Sequence, residues 1–257
     1  MKLIEIKTQF DDFPEEILKF SEGTRIFDSS SSPEARVYFI DKDGGYFLKT
    51  AEKGSLKKEA TLGEYFYKKG LAPEILHYSS SDKDFLLTRK AKGLDATEKI
   101  YLDEPKRLAE KMGQVLRELH SMDFSECPEQ DRMSAYFKLA EENYALDKYD
   151  LSFGNFKTKE DAYSVAKKGR EILKSDTLIH GDFCLPNIIF DGWKFSSFID
   201  LGAGGVGDRH VDLFWGAWTL NFNLKTDAFK DVFFSSYGKE RIEKEALEVV
   251  SAAEIFG

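Results

Sequence analysis

The first ninety residues alternate short apolar and polar stretches in a pattern typical of strands joined by turns. Strands are predicted over residues 23–28, 36–41, 46–50, 75–79 and 85–89. The glycines in Lys42-Asp43-Gly44-Gly45 predict a hairpin between the second and third of these strands. One helix is expected between strands, from the candidate N-cap Ser55 to the candidate C-cap Gly70. This part of the chain is therefore predicted to be a small sheet that carries one helix.

From about Glu98 the apolar residues recur with the 3.6-residue period of helices. After the candidate cap Asp103, a helical stripe is formed by Leu108, Met112, Val115, Leu116 and Leu119. Further helices are expected at 134–147, at 159–174 and from about Asp208 onward, with short strands near 177–179, 188–190 and 195–199. The pattern predicts an α+β protein with a boundary after residue 90, so that 1–90 form one lobe and 91–257 form a mainly helical lobe.

Composition excludes several classes of protein. The chain has 257 residues, of which 42% are hydrophobic and 32% charged, an ordinary profile for a globular protein. Cys127 and Cys184 are too few for a disulfide framework. No apolar run approaches the roughly 18 residues of a membrane span, and the first residues lack the features of a signal peptide. We therefore expect a cytoplasmic protein.

The net charge of −9 argues against nucleic acid as a partner, because affinity for a phosphate backbone depends on Lys and Arg. A cationic small molecule would suit an acidic protein better, although many proteins are acidic only for solubility. We expect no membrane partner, and a monomer or weak dimer.

The segment from 178 to 212 carries the most specific chemistry. A strand is expected to end at His180-Gly181-Asp182, Asn187 follows five residues later, and Asp200 stands at the end of a hairpin. Phosphoryl transfer needs such a set of oxygen-bearing side chains. Asp182 is predicted to be the base that orients the attacking hydroxyl, with Asn187 and Asp200 as ligands of Mg²⁺.

This segment resembles the aminoglycoside phosphotransferases, small-molecule relatives of the protein kinases. The chain reads HGDxxxxN and then IDLG, where protein kinases have HRDxxxxN and DFG, and residues 199–212 follow most of the family pattern IDxGRxGVADRxxD. The resemblance implies a two-lobed protein-kinase-like fold. It also implies transfer of the γ-phosphoryl group of ATP, with Mg²⁺, to a hydroxyl of an antibiotic of the kanamycin or neomycin kind.

One competing motif occurs in the same segment. Gly202, Gly204 and Gly207 fit GxGxxG, the fingerprint of dinucleotide-binding folds. That fold needs a second strand ending in an acid about 20 residues later, but residues 214–220 have a helical pattern and too little chain remains. The dinucleotide-binding alternative is therefore disfavoured.

The resemblance assigns nucleotide-binding roles in the first lobe. A kinase core needs a strand lysine for the phosphates and a helix glutamate that holds it, and Lys49 and Glu59 stand in that order. The predicted inward face of the helix consists of Leu56, Ala60, Gly63, Phe66 and Tyr67, with Glu59 beside it. Glu59 is thus the expected partner of Lys49.

By the same resemblance, the turn 31–35 would contact the phosphates through Ser32 and its neighbours. Phe47 would stack on adenine, and Thr88 to Ala91 would form the hinge along the adenine edge. A polar turn and a core phenylalanine remain the alternatives for these residues. His180 is expected to orient the catalytic loop and Asp212 to brace it.

The acceptor side departs from the family pattern. The resemblance implies acidic substrate contacts at Asp150, at Glu254 and at the terminal carboxylate of Gly257. An arginine and an acid expected in the following helix fall on Trp218 and Asn223, and Ala203 replaces the arginine of IDxGR. Two rival functions therefore remain open: a kinase of another small hydroxylated metabolite, and an inert nucleotide-binding relative.

Overall fold

The computed structural model describes residues 3–6, 13–30 and 35–257. The chain divides into two compact units, one formed by Met1–Gly93 with Ser196–Gly202 and the other by Leu94–Phe195 with Ala203–Gly257. The first unit ends at Gly93 instead of residue 90. It also includes a short segment that the predicted division assigned to the second lobe.

The first unit is built on an antiparallel sheet with the strand order β1-β2-β3-β4-β6-β5. Its strands are β1 (Ile4–Ile6), β2 (Arg25–Asp28), β3 (Ala35–Asp41), β4 (Tyr46–Glu52), β5 (Ile75–Ser80) and β6 (Lys83–Arg89), and its helices are α1 (Glu15–Ser21) and α2 (Lys57–Lys68). Burial alternates along β4 and places Tyr46 and Leu48 in a core with Ile40 and Phe85. The predicted sheet and its helix α2 are present, and the unit contains a second helix, α1.

The hairpin between β3 and β4 has the conformation that its glycines predict. Asp43, Gly44 and Gly45 have φ angles of 48°, 93° and 104°. A Cβ atom on Gly45 would lie 2.7 Å from the ring of Phe39. Glycine is therefore required at this turn for its backbone conformation and for the close approach of the ring.

The first turn of α2 is capped by a side chain from the sheet. The carboxylate of Asp84 accepts hydrogen bonds from the backbone nitrogens of Gly54 and Leu56, both at 2.8 Å. The predicted cap Ser55 instead donates its hydroxyl to the carbonyl of Glu52. The prediction of a serine cap is wrong: Leu56 is the N-cap residue, and its N–H group is satisfied by a carboxylate distant in sequence.

The buried face of α2 is wider than a single helical stripe. Its buried residues are Ala60, Leu62, Gly63, Tyr65 and Phe66. Tyr67, predicted to face inward, is 45% exposed. Leu62 and Tyr65, which lie off the predicted stripe, are covered, so the observed face is displaced toward one side of the helix.

Strand β1 and helix α1 were not predicted. Helix α1 has seven residues, too few to establish a helical period in the sequence. Its Ile17 is fully buried in the core that contains Leu48 and Phe85. Helix α1 therefore contributes to the core of the sheet.

The second unit is mainly helical, as predicted. Its helices are α3 (Lys99–Leu102), α4 (Pro105–Leu119), α5 (Arg132–Ala145), α6 (Lys159–Lys168), α7 (Arg209–Leu224), α8 (Lys230–Tyr237) and α9 (Lys244–Glu254). The predicted apolar stripe of α4 is buried. Asp103 ends α3 and does not cap α4, whose N-cap position is Glu104. Across the described ranges, no helix is both long enough and apolar enough to cross a membrane.

Short strands complete the second unit. They are β7 (Leu94–Asp95), β8 (Thr177–Ile179), β9 (Ile188–Asp191), β10 (Lys194–Phe198) and β11 (Gly205–Gly207), paired as β11-β8 and as β10-β9-β7. The residues of β10 from Ser196 onward belong to the first unit. In the GxGxxG stretch, Gly207 pairs with Thr177 across antiparallel strands. Gly202 lies in a short 3-10 turn and Gly207 in a strand pair, whereas the dinucleotide fingerprint needs a turn that opens directly into a helix.

Candidate active site

Lys49 lies within β4, which continues past it to Glu52. Its Nζ donates hydrogen bonds to Glu59 Oε2 at 2.8 Å and to Asp200 Oδ1 at 2.9 Å, all in the first unit. Burial alone lowers the pKa of Lys49, but the two carboxylates outweigh it and the pKa is raised. The ammonium group therefore stays charged at neutral pH, as a ligand of phosphate must be.

Glu59 stands in the first turn of α2, and the Lys49–Glu59 pair predicted from the sequence is present. Leu56 and Ala60 on either side pack against Leu86 of β6, which holds this turn on the sheet. Burial raises the pKa of Glu59, and the positive charge of Lys49 opposes that shift. Each of the two side chains thus compensates the buried charge of the other.

Asp200 has an unusual backbone conformation. Its φ angle is 61°, a left-handed value that side-chain-bearing residues seldom adopt and that costs about 1–2 kcal/mol. The segment that carries it is tied to the first unit by a hydrogen bond from Phe198 N to Leu71 O at 2.7 Å. Its carboxylate is 52% exposed. Strain of this kind persists where surrounding structure fixes the residue, and it concentrates at functional sites.

In the second unit, Asp182 and Asn187 form the centre of the loop that follows β8. Asn187 Nδ2 donates to Asp182 Oδ2 at 2.8 Å and to the carbonyl of Asp182 at 3.0 Å. The backbone nitrogen of Asp182 donates to His180 Nδ1 at 3.3 Å. The carboxylate of Asp182 is half-buried and therefore held in place while still reachable by a ligand.

Gly181 allows this loop to turn. Its φ angle is 83°, and a Cβ atom there would lie 2.0 Å from the carbonyl oxygen of Ala203. No side chain can be accommodated at that distance. Glycine between His180 and Asp182 is thus a geometric requirement of the loop.

Asp212 braces the loop from α7. Its carboxylate accepts hydrogen bonds from the backbone nitrogens of His180 and Gly181 at 2.8 and 2.7 Å. It also bonds His120 Nε2 at 3.0 Å, and His120 Nδ1 bonds the hydroxyl of Tyr237 at 2.9 Å. Burial lowers the pKa of His120, against the opposing effect of Asp212. A neutral histidine therefore links the loop to α8.

Cys184, close to Asp182 in the sequence, is buried, and burial raises the pKa of its thiol far above the ordinary value. Its thiol is therefore protonated at neutral pH. Phe47 and Thr88 face each other on β4 and β6, and Thr88 Oγ1 donates to Phe47 O at 3.5 Å. Ala91 follows β6, and Ser32 lies outside the described residues.

The predicted acceptor residues lie together in the second unit. The backbone nitrogen of Asp150 donates to the carbonyl of Ile255 at 2.8 Å, which holds the loop against the chain terminus. A Cβ atom on Gly257 would lie 2.8 Å from Glu254 Oε2, so the terminal residue is beside that carboxylate. The backbone of Asp150 and the residue Gly257 are therefore both held at the segment that follows Glu254, and we call Asp150, Glu254 and Gly257 the acidic group.

Glu254 is the most buried member of this group, at 7% exposure. Its Oε1 accepts hydrogen bonds from the hydroxyl of Tyr136 at 2.8 Å and from Trp215 Nε1 at 3.1 Å. Burial raises the pKa of Glu254 to about 7, although both hydrogen bonds favour the carboxylate, and the charge of Asp182 adds to the rise. The sequence did not predict Tyr136 or Trp215 as partners, because their polar tips lie within otherwise apolar patterns.

Comparison with known proteins identifies the class of enzyme. A family model described as the phosphotransferase enzyme family matches residues 26–249. Because this match covers most of the chain, the chain belongs to that family.

Particular relatives extend this result. The chain is 46% identical to a probable aminoglycoside 3'-phosphotransferase of Lactococcus lactis, over 99% of both chains. It is 26% identical to an aminoglycoside 3'-phosphotransferase of Niallia circulans, over 91% of this chain and 93% of that protein. The resemblance stated from the motifs and the predicted enzyme class are confirmed.

The fold is likewise that of known enzymes. A crystal structure of an aminoglycoside 3'-phosphotransferase of type VIII superposes with a TM-score of 0.74 at 20% identity, covering 95% of this chain and 100% of that chain. An aminoglycoside phosphotransferase of Streptomyces rimosus gives 0.72 at 18% identity, covering 94% and 95%. The predicted kinase-like fold class is confirmed.

Proposed function

We propose that this protein transfers the γ-phosphoryl group of ATP to a hydroxyl of an aminoglycoside antibiotic, at the 3' position named for its relatives. The observation that carries the proposal is the pair of preformed polar groups, Lys49 between Glu59 and Asp200, and Asp182 held by Asn187. Phosphoryl transfer needs positioning and charge stabilisation from side chains of these types.

The nucleotide side of the reaction belongs to the first unit. Lys49 would bind the α and β phosphates, and Glu59 would keep its ammonium group in position. Phe47 would stack on adenine, with Thr88 and Ala91 along its edge and Ser32 at the phosphates. Lys49 is paired with both Glu59 and Asp200. Asp200 can therefore bind another partner while Glu59 remains paired with the lysine.

Asn187 and Asp200 would hold Mg²⁺. Asn187 Nδ2 donates to Asp182, which leaves the amide oxygen for a cation, and the carboxylate of Asp200 is half-exposed. Within the described residues, no cluster of three or more His, Cys, Asp or Glu could hold a metal alone. This donor set suits Mg²⁺, which keeps water and phosphate oxygens beside one or two protein ligands. Bound there, Mg²⁺ would offset charge on the phosphates.

Asp182 would orient the acceptor hydroxyl and accept its proton at a carboxylate oxygen. Its Oδ2 accepts a hydrogen bond from Asn187, which fixes the plane of the carboxylate. Asp212 fixes the loop behind it through two backbone nitrogens. The loop is therefore positioned before substrate arrives, which lowers the entropic part of the barrier.

The acceptor side is acidic. The loop of Asp150 is bonded to Ile255, Gly257 is beside Glu254, and the charge of Asp182 acts on Glu254. Ammonium groups of an aminoglycoside would be attracted to such a group of carboxylates. These contacts favour a polyamine over a neutral acceptor.

A kinase of another hydroxylated metabolite is the second candidate. It is favoured by Trp218 and Asn223, which occupy positions where the family pattern has an arginine and an acid, and by Ala203. These side chains change the acceptor contacts without touching Lys49, Asp182, Asn187 or Asp200.

Steady-state release of ADP tests the proposal, with kanamycin and neomycin as acceptors and glycerol and myo-inositol as neutral controls. We expect Mg²⁺-dependent turnover with at least one aminoglycoside, and a phosphate monoester in the product by ³¹P NMR. Turnover of a neutral acceptor alone would favour the metabolite kinase. Absence of any thermal shift with ATP and Mg²⁺ would exclude a nucleotide-dependent enzyme.

A further inference from the structure

Aromatic side chains on α7 form a connected row in the second unit. The ring centroids of Trp215 and Trp218 are 5.4 Å apart, and Trp218 stacks on Phe222 at 4.9 Å with 12° between the planes. Phe153, in the turn after Asp150, contacts both tryptophans at 5.6 and 5.8 Å. We call Phe153, Trp215, Trp218 and Phe222 the aromatic row.

The aromatic row is partly exposed, most of all at Phe222. Phe222 is 53% exposed, and Trp218 and Phe153 are half-buried. Connected apolar surface of this kind marks a binding site more often than isolated exposed residues do. Because each ring is supported by another ring, the row is also preorganised for a ligand.

The aromatic row lies beside the loop that carries Asp182. The neighbouring stripe of α7 packs directly on that loop: a Cβ atom on Gly216 would lie 3.2 Å from the ring of Phe183. Thr219 Oγ1 accepts a hydrogen bond from Leu185 N at 3.2 Å. The helix that carries Trp215, Trp218 and Phe222 is therefore fixed to the proposed catalytic loop, and the row lies on the adjoining stripe of the same helix.

Charged side chains of opposite sign flank the row. At one end, Trp215 donates to Glu254, beside the terminal Gly257. At the other end, Lys225 Nζ lies 4.3 Å from the ring centroid of Phe222. An exposed lysine thus occupies a position that an ammonium group of a ligand could take by displacing it.

We propose that Trp218, with Phe153 and Phe222, binds an amino-sugar ring of the acceptor and determines which acceptors this enzyme takes. The apolar face of the sugar ring would cover the aromatic surface, and its ammonium groups would lie near the ring faces and Glu254. At the positions of Trp218 and Asn223 the family pattern has charged side chains that bind the acceptor. In this chain, aromatic contact would replace those charged contacts. The inference rests on the proposed function, because it takes the acceptor to be an aminoglycoside.

Kinetics of Trp218→Ala and Phe222→Ala test the proposal, with Trp218→Phe as the conservative variant. Aromatic contacts with a cationic ligand are worth about 0.5–2 kcal/mol, so KM for kanamycin or neomycin should rise about 3- to 30-fold in Trp218→Ala. The KM for ATP should not change, and Trp218→Phe should restore part of the affinity. Ile100→Ala, at a residue 55% exposed on α3, is the matched control and should keep the wild-type KM.

Calorimetric titration with the same aminoglycosides separates this proposal from the proposed function. Unchanged KM and affinity in both Trp218→Ala and Phe222→Ala, with normal wild-type turnover, would overturn the aromatic site alone. Binding without turnover, weakened in Trp218→Ala, would overturn the kinase function and support the aromatic site. A wild-type protein that neither binds nor phosphorylates any aminoglycoside would overturn both.

Discussion

Single residues of the candidate site owe their charge and orientation to partners that are themselves fixed. Asp182 is held through Asn187 on one side and through the backbone of Gly181 on the other, where Asp212 accepts a hydrogen bond. Lys49 keeps its charge because two carboxylates outweigh the effect of burial on its pKa. Changing one atom in such a set tests a role without rearranging the rest.

Asp182→Asn tests the proposed base. The amide oxygen of asparagine can still accept from Asn187 Nδ2, so the loop should keep its conformation while the proton acceptor is removed. Turnover should fall by about 10²–10⁴. Rapid-quench or ADP-release assays measure it, and ATP affinity should stay within about twofold. Near wild-type turnover would remove Asp182 from the mechanism.

Glu254 should make stability depend on pH. Its pKa is about 7 in the folded protein, against the ordinary value of 4.5 that applies to the unfolded chain. Between these two pH values the folded state therefore binds more protons than the unfolded state. Stability therefore falls as pH rises from about 4.5 to 7. Glu254→Gln keeps an acceptor for Tyr136 and Trp215 and removes the titration. The difference in unfolding free energy between Glu254→Gln and wild type should therefore shift in favour of the variant by about 2–3 kcal/mol from pH 5 to pH 8.

Urea unfolding at several pH values measures this difference. Glu248→Gln, at an exposed position of the same helix, is the control and should leave the wild-type pH dependence unchanged. Parallel curves for wild type and Glu254→Gln would mean that Glu254 is ionised throughout and that the buried carboxylate is stabilised by other groups.

At the residue level, motif spacing was enough to predict Lys49, Glu59 and Asp182 as candidates. The residues that hold the catalytic loop in place were harder to predict from the sequence. Asp212 was expected to brace the loop, but its link to His120 joins residues 92 positions apart, and the link from His120 to Tyr237 spans 117 positions. Local pattern cannot pair residues at such distances, since the pairing depends on how α4, α7 and α8 pack.

Among the elements, α2 illustrates how a helix is positioned from outside its own sequence. Asp84 from β6 accepts from the N–H group of its N-cap residue Leu56 and from Gly54 in the turn before it. Apolar periodicity predicted the helix and its approximate ends. It could not predict the cap, because Asp84 is 28 residues away from Leu56 in the chain.

Asp84→Ala should therefore destabilise the first unit. The substitution leaves the backbone nitrogens of Gly54 and Leu56 without their buried acceptor, which costs about 2–3 kcal/mol. Thermal unfolding should show a lower midpoint, and amide exchange at the start of α2 should become faster. Asp82→Ala, an exposed neighbour in the same turn, should change neither quantity. Equal stability of Asp84→Ala and wild type would show that water caps the helix as well as the carboxylate does.

For the whole molecule, the change in apolar period predicted a boundary after residue 90, and the first unit extends to Gly93. The pattern did not predict that Ser196–Gly202 belong to the first unit. In sequence these residues complete a hairpin of the helical part. Their attachment depends on contacts such as Phe198 N to Leu71 O, which join distant parts of the chain.

The whole chain has a net charge of −9, so we expect its affinity for a cationic acceptor to depend on salt. Asp150 is exposed, so its attraction for a polycationic aminoglycoside should be screened by added salt. Raising the ionic strength from about 0.05 to about 0.3 M should increase KM for kanamycin by about 3- to 10-fold. The KM for the anionic nucleotide, measured in the same buffers, should not rise in parallel.

Charge variants decide whether the acidic group or the overall charge is responsible. Asp150→Asn and Glu126→Gln remove the same single charge, the first beside the chain terminus and the second at an exposed position outside the acidic group. Asp150→Asn should raise KM at low salt and flatten its salt dependence, because a specific pair is removed. Glu126→Gln should retain the wild-type slope. An equal effect of both variants would assign the attraction to net charge, and a KM independent of salt would exclude a polycation held by exposed carboxylates.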